Sequence, residues 1–172
     1  MPLNEVERRN RHSGDYFAVL ENLPISRLQR LLPFINSKLF KRVVDFACGA
    51  SNFFELIHDR RPSAEGIDFS PDFVATVQRR ASAQGIRNIS YHRPDIVELC
   101  SEHSDEYDVI TELDFSGHIY DEDFLRIFGG AHRILKPSGA LFIHTPKLDF
   151  FFKTKARLNW YDLKAHANLY KQ

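Results

Sequence analysis

Apolar positions along the chain switch between a helical period and short unbroken runs. Residues 1–13 are polar and expected to fray. Over 14–35, Tyr16, Phe17, Leu20 and Leu23 form one apolar stripe, and beyond Pro24 a second stripe holds Leu28, Leu31, Leu32 and Ile35. Both predict helix. Arg42–Phe46 reads as a strand running into a small-residue turn, Ala47–Ser51, with a helix from Asn52 burying Phe53, Phe54, Leu56 and Ile57. A second strand fits Ala64–Phe69. Ser70 then stands as an N-cap with Pro71 at the first helical position. That helix buries Phe73, Val74, Val77 and Ala81, and Gly85 stops it. Strands three and four fit Ile89–His92 and Asp108–Leu113. Asp121 caps a helix with inner face Phe124, Leu125, Phe128, Ala131 and Leu135, Pro137-Ser138-Gly139 reads as a turn, and Ala140–His144 is the fifth strand.

Strands therefore alternate with helices through crossovers long enough for βαβ units, which demand parallel pairing. The fold class is α/β, a doubly wound, mainly parallel sheet with N-terminal helices. The 172 residues are read as one domain: an N-terminal helical segment over 1–40, a core over 41–146 and an aromatic, basic tail over 147–172.

Composition narrows the function classes. Hydrophobic residues at 43% and charged residues at 27% exclude wholesale disorder. Lys+Arg and Asp+Glu number 23 each, and that balance disfavours nucleic acid as a partner. Cys48 and Cys100 have no CxxC spacing, so a reduced, cytoplasmic chain without structural zinc is expected. No run of eighteen apolar residues suggests a membrane span, and the first residues lack a signal-peptide core. Residues 98–123 hold ten acids and no Lys or Arg, whereas 147–172 hold six Lys/Arg against two acids; solvated surface is the plainer reading of both.

Ligands of such sheets sit at the carboxyl ends of the strands, near the switch in strand order. Asp45 closes strand one before a turn of tiny residues that lets a ligand approach the backbone. Asp68 closes strand two, where a carboxylate can accept both hydroxyls of a ribose. Asp95 follows strand three and Asp114 strand four. Three have a structural alternative (Asp68 as part of a capping turn, Asp95 as the N-cap of 96–100, Asp45 as a brace), and Asp114 alone would mean little. Their joint placement at successive strand ends is what favours a ligand with several donors.

These residues resemble the motifs of class I S-adenosylmethionine-dependent methyltransferases. Val43–Phe53 resembles the apolar strand, acid and Gly-x-Gly-x-Gly turn of the first motif; Gly66–Pro71 resembles the second, and Arg93-Pro94-Asp95-Ile96 the third. Asp108 through His118 is similar to the fourth strand and its loop, and Leu135–Leu141 to the turn into strand five. The resemblance covers roughly 40–146 and implies a Rossmann-like fold, S-adenosyl-L-methionine as cofactor and methyl transfer to a small-molecule acceptor. It places Ala47 and Gly49 under the methionine part and Asp45 at the turn or the methionine amino group. Asp68 would bind the ribose, Phe69 would lie against the adenine, and Asp95 and Ile96 would meet its edge and face. Asp114 and His118 would line the cofactor and substrate mouth, with His118 as candidate base and Tyr120 beside it.

The sequence departs from the pattern. Ala47 and Ser51 stand where glycines are usual; alanine adopts positive φ only at a cost, while Ser51 can cap the next helix. Gly117 replaces the acid that commonly precedes His118. After Pro146 only 26 residues remain, patterned as helix or loop, so strands six and seven are expected to be missing in part or whole. The fifth strand would then present an apolar edge: either the chain is a truncated product, or the edge is covered by the tail or by a second, perhaps identical, chain, a homodimer. The tail's Phe150, Phe151, Phe152, Leu158, Trp160, Tyr161 and Leu163 interleave with Lys153, Lys155, Arg157 and Lys164, a pattern for packing on the sheet or, less simply, for a membrane surface or an anionic partner.

Two other readings compete. A catalytically degenerate relative would act as a cofactor-binding or partner-binding module. A nicotinamide-dependent dehydrogenase is disfavoured because Asn52 occupies the third glycine position of Gly-x-Gly-x-x-Gly. Asp114, His118 and Asp121 could form a hard-cation site, but Asp121 has a sufficient role as a cap, so no metal is expected.

Overall fold

The computed structural model describes residues 28–33, 40–57, 59, 63–92, 95–115, 119 and 121–144. Five strands form one sheet in the order β3-β2-β1-β4-β5. They are β1 (Arg42–Phe46), β2 (Ser63–Ile67), β3 (Ile89–His92), β4 (Tyr107–Leu113) and β5 (Leu135–His144), with every neighbour parallel. Four α-helices alternate with them: α1 (Asn52–Ile57), α2 (Pro71–Ala83), α3 (Ile96–Glu102) and α4 (Asp121–Ile134). The expected doubly wound α/β sheet is therefore present, and its order reverses between β1 and β4.

Two apolar layers hold the helices to opposite faces. Val43, Ala64 and Val109 pack with Phe53, Phe54 and Ile57 of α1 and Val74, Val77 and Ala81 of α2. Val44, Phe46, Ile67 and Ile110 pack with Leu99 and Cys100 of α3 and Ile127, Ala131 and Ile134 of α4. Adjacent residues of β1 thus feed different layers, as the pleat requires. Each fully buried Val, Leu, Ile or Phe in these layers contributes about 1.5–3 kcal/mol.

Local signals explain most boundaries. Ser70 caps α2, its Oγ accepting from Phe73 N–H at 3.4 Å, with Pro71 in the first turn. Gly85, at φ 70°, follows the last turn of α2. β2 stops at Ile67, two residues earlier than expected, because Asp68 turns away to meet the start of α2.

Two expectations need correction. On α4, Leu125 is 74% exposed and Leu135 belongs to β5, whereas Ile127 and Ile134 are buried. Ile127, Ala131 and Ile134 keep the 3–4 spacing that Leu125 breaks. Pro137-Ser138-Gly139 is a bulge inside β5 rather than a turn before it: Leu135 pairs with Tyr107 and Ala140 with Val109. A Cβ on Gly139 would sit 3.1 Å from the Tyr107 carbonyl, so the excursion presses against β4.

Of the N-terminal helical segment, a 3-10 turn over Gln29–Leu31 is described, with Leu28 buried in the first layer. The remainder of that segment and the tail over 147–172 lie outside the described residues. Among the described residues β5 pairs with β4 alone, and no sixth or seventh strand is present.

Candidate functional site

The carboxyl ends of the strands form one rim, and the turn after β1 is its centre. Ala47, Gly49 and Ser51 all take left-handed backbone, at φ 53°, 51° and 62°. The alternation is that of a three-glycine turn, kept although two glycines are replaced. Holding a non-glycine residue there costs about 1–2 kcal/mol, so surrounding bonds must impose it. Cys48 N–H donates to the Ile67 carbonyl at 2.9 Å, and Ser51 N–H to the Cys48 carbonyl at 2.7 Å. The Ser51 side chain ties the turn to the sheet: its Oγ lies 2.7 Å from the Tyr91 hydroxyl on β3. Burial pushes the Tyr91 phenol up to about 12, so the hydroxyl stays protonated in this pair. Burial also pushes the Cys48 thiol well up, which fits a packing role rather than a nucleophilic one.

Gly66 makes room for the same turn. A Cβ there would lie 2.6 Å from the Tyr91 ring and 2.9 Å from Cys48 Sγ. Closely approaching side chains, not backbone freedom, demand glycine at that position.

Asp68 joins the turn to β2. Its carboxylate is buried, at 4% exposure, and accepts Gly49 N–H on Oδ2 at 3.0 Å and Ser70 N–H on Oδ1 at 2.8 Å. The capping alternative is thus realised, alongside a direct bond to the glycine turn. Burial outweighs the two N–H donors and raises the carboxyl to about 6. Each oxygen has a second lone pair, so the group retains acceptor capacity for a diol. Beside it Phe69 leaves 37% of its surface exposed, an aromatic face adjoining the acid.

Asp45 lies within β1, one residue before its end, and is 2% exposed. Thr111, opposite it on β4, donates its hydroxyl to Asp45 Oδ1 at 2.6 Å. Asp95 is exposed and caps α3, accepting Val97 N–H at 2.7 Å. Ile96 is partly buried against the second apolar layer. Ile67 and His92 are register partners, so Asp68 and Asp95 follow the same end of the sheet.

Asp114 leaves β4 at φ 64° and meets the last residue of β5. Its Oδ1 is 2.7 Å from His144 Nδ1, and its backbone N–H donates to the His144 carbonyl at 2.7 Å. His118 and Tyr120 lie outside the described residues. Among the described residues no group of three His, Cys, Asp or Glu side chains is placed to hold a metal ion.

Three partners were missed from sequence: Thr111, Tyr91 and His144. Thr111 shares its strand with Asp108 and Glu112, so its polarity alone does not mark it. His144 ends strand five, so the strand-end rule that picked Asp68 also picks it. Tyr91 gives no sequence signal, because its bond to Ser51 depends on tertiary packing.

Comparison with known proteins follows the same lines. Ubiquinone biosynthesis O-methyltransferase of Acinetobacter baumannii is 29% identical over 105 residues, 61% of this chain and 44% of that one. The chain thus spans less than half the length of the curated relatives it matches. A protein of Pyrococcus horikoshii superposes with a TM-score of 0.69 at 23% identity, over 92% of this chain and 73% of that one. A SAM-dependent methyltransferase of Archaeoglobus fulgidus does so at 0.69 and 19% identity, over 91% and 73%. These likenesses establish the fold. A family model described as a methyltransferase domain matches residues 16–172, most of the chain, and the chain belongs to that family.

Proposed function

We propose that the protein is an S-adenosyl-L-methionine-dependent methyltransferase acting on a small-molecule acceptor. The observation that carries the reading is the buried Asp68 carboxylate, bonded to Gly49 N–H and flanked by the exposed face of Phe69. That donor set suits a nucleoside: an acid for the vicinal hydroxyls, an aromatic face for the base and a tight turn for close backbone approach. Ala47 and Gly49 would pass under the methionine part, with Asp45 bracing the turn from β1. Asp95 and Ile96 would meet the adenine, and Asp114 would line the mouth toward the acceptor.

When bound, the cofactor supplies an electrophilic sulfonium methyl group. The chain's own contribution is positioning and exclusion of water. Asp45, tied to Thr111, and Asp68, tied to two backbone N–H groups, are held in place before a ligand arrives. The left-handed conformation of the turn, with positive φ at Ala47 and Ser51 as well as Gly49, favours cofactor binding over a degenerate module.

The expected cytoplasmic location and the second copy over the β5 edge belong to the same proposal. Supporting them are two buried free cysteines and an Ile143 that is 48% exposed on the outermost strand. No described helix is long and apolar enough to cross a membrane.

Calorimetric titration with S-adenosyl-L-methionine and its demethylated product tests the reading without knowledge of the acceptor. Saturable heat in the wild type that is lost or strongly weakened in Asp68→Ala is expected; absence of heat in the wild type refutes it.

A further inference from the structure

We propose that Arg80 is a positioning residue for the cofactor: from α2 it locks the peptide between Ala50 and Ser51 in the orientation that the turn after β1 needs. The proposal rests on the methyl-transfer reading above. Arg80 Nη1 donates to the Ala50 carbonyl at 3.3 Å, and its Nη2 pairs with Oε1 of Glu55 in the first turn of α1. A guanidinium is a planar fork of donors, so one side chain holds two acceptors at once. Ala50 is 4% exposed and stands between Gly49 and Ser51, both left-handed. A small cleft lined by Ala50, Ser51, Arg80 and Tyr91 adjoins this stretch, so close packing alone does not hold it. The bonds from Asp68 and Tyr91 reach the turn at the Gly49 N–H and the Ser51 side chain, and neither is made to the Ala50–Ser51 peptide.

Strain at Ser51 supplies the reason for a lock. A peptide plane moves as one unit, its C=O and N–H on opposite sides. Reversing the Ala50–Ser51 plane turns φ of Ser51 through about 180°, out of the left-handed region at 62° and into extended backbone. For serine that reversal relieves strain; for glycine it gains little. It also breaks two bonds on the plane: Arg80 to the Ala50 carbonyl, and Ser51 N–H to the Cys48 carbonyl at 2.7 Å. The first has a charged donor and is the stronger kind. A reversed plane disturbs the tight backbone beside Gly49, which the cofactor must approach. Arg80 thus acts through the turn and supplies from outside it the order that missing glycines would otherwise allow.

The test uses the full chain, calorimetry with S-adenosyl-L-methionine, and NMR couplings that report the sign of φ at Ser51. Arg80→Met keeps the aliphatic stem and removes the fork; the side chain is 29% exposed, so the change opens no core cavity. The expected result is a cofactor Kd weaker by about tenfold or more, with positive φ at Ser51 no longer uniform in the unliganded chain. Arg79→Met removes the same charge one residue away, where the guanidinium bonds Ala75 and Thr76 of its own helix, and should leave Kd within about twofold. In a Ser51→Gly background the loss caused by Arg80→Met should shrink to about threefold or less, a coupling that a merely structural ion pair would not show. Arg80→Gln, shorter and uncharged, carries the same test should the methionine variant not fold. Wild-type Kd in Arg80→Met, an equal loss in Arg79→Met or in the Ser51→Gly background, or unaltered positive φ at Ser51 in Arg80→Met overturns the proposal and leaves the methyl-transfer reading standing. Absence of cofactor heat in the wild type overturns both.

Discussion

The backbone N–H of Gly49 donates to Oδ2 of Asp68 across 3.0 Å, making the turn after β1 and the end of β2 one unit. A ligand that engages either will feel the other. Asp68→Asn retains one acceptor oxygen but puts an amide donor where the second stood. Cofactor affinity at neutral pH is expected to fall about 10- to 100-fold, the worth of one or more hydrogen bonds to a charged group. Asp68→Ala also strips the acceptor from both Gly49 and Ser70, each orphaned N–H costing about 1–3 kcal/mol. Calorimetry paired with urea unfolding separates the two losses.

The same carboxyl imposes a pH dependence with a defined sign. Burial raises it to about 6 from an ordinary 3.8. Between those values the folded chain binds more protons than the unfolded one. Stability therefore falls as pH rises through that window and is level above it, by on the order of 3 kcal/mol for this group. Cofactor affinity should run the other way, weakening below pH about 6 as the protonated acid loses acceptor capacity. Urea midpoints of wild type and Asp68→Asn across this range check the first claim, since the variant does not titrate there. Parallel titrations with the cofactor check the second.

Ala47 and Ser51 occupy backbone that favours glycine, and their substitutions should differ in outcome. Ala47→Gly relieves the left-handed strain and is expected to stabilise by about 1 kcal/mol, less the entropy that glycine adds to the unfolded chain. Ser51→Gly relieves similar strain but loses the Oγ bond to Tyr91, so its net change should be near zero. Denaturant midpoints at constant slope distinguish the pair. Equal stabilisation by both would mean that the Ser51–Tyr91 bond contributes nothing.

Much of this was legible in the residues, for physical reasons that also explain the gaps. The helix from Pro71 announced itself through Ser70, Pro71 and the spacing of Phe73, Val74, Val77 and Ala81, all four of which are buried. The five strands were readable because buried parallel strands are short β-rich runs between helical patterns. The inner face of α4 was misphased because Leu125 is as apolar as its buried neighbours, and composition cannot tell which side of a helix meets the sheet. The bulge over Pro137-Ser138-Gly139 has the residues of a turn, and only the register against β4 reveals that the strand continues through it. The acids at the strand ends were found from topology; Thr111 required the pairing of β4 with β1, and for His144, itself readable as a strand end, it was the contact with Asp114 that required the pairing of β4 with β5.

Gly66 predicts a steric route to loss of function. Gly66→Ala places a Cβ within 2.9 Å of Cys48 Sγ and closer still to the Tyr91 ring. The ring must shift, taking its hydroxyl from Ser51 and loosening the turn. Overpacking of this kind costs about 1–3 kcal/mol. Near-ultraviolet circular dichroism should report the displaced tyrosine, and cofactor affinity should fall by more than the stability change alone explains. An unchanged Kd would separate the turn from the ligand.

Asp95 caps α3 and is proposed to meet the adenine as well, and one substitution can part the observed role from the proposed one. It caps α3 through Val97 N–H, which any short side-chain acceptor can do. Meeting an adenine amino group needs the longer reach and the charge of a carboxylate. Asp95→Ser should keep the cap and leave Tm near wild type, while Asp95→Ala should cost about 1 kcal/mol. If the carboxylate also serves the cofactor, the serine variant binds S-adenosyl-L-methionine about 5- to 20-fold more weakly despite its intact fold, a loss of roughly 1–2 kcal/mol. Wild-type affinity in Asp95→Ser would assign the residue to helix capping alone and move the adenine contact to Phe69 and Ile96.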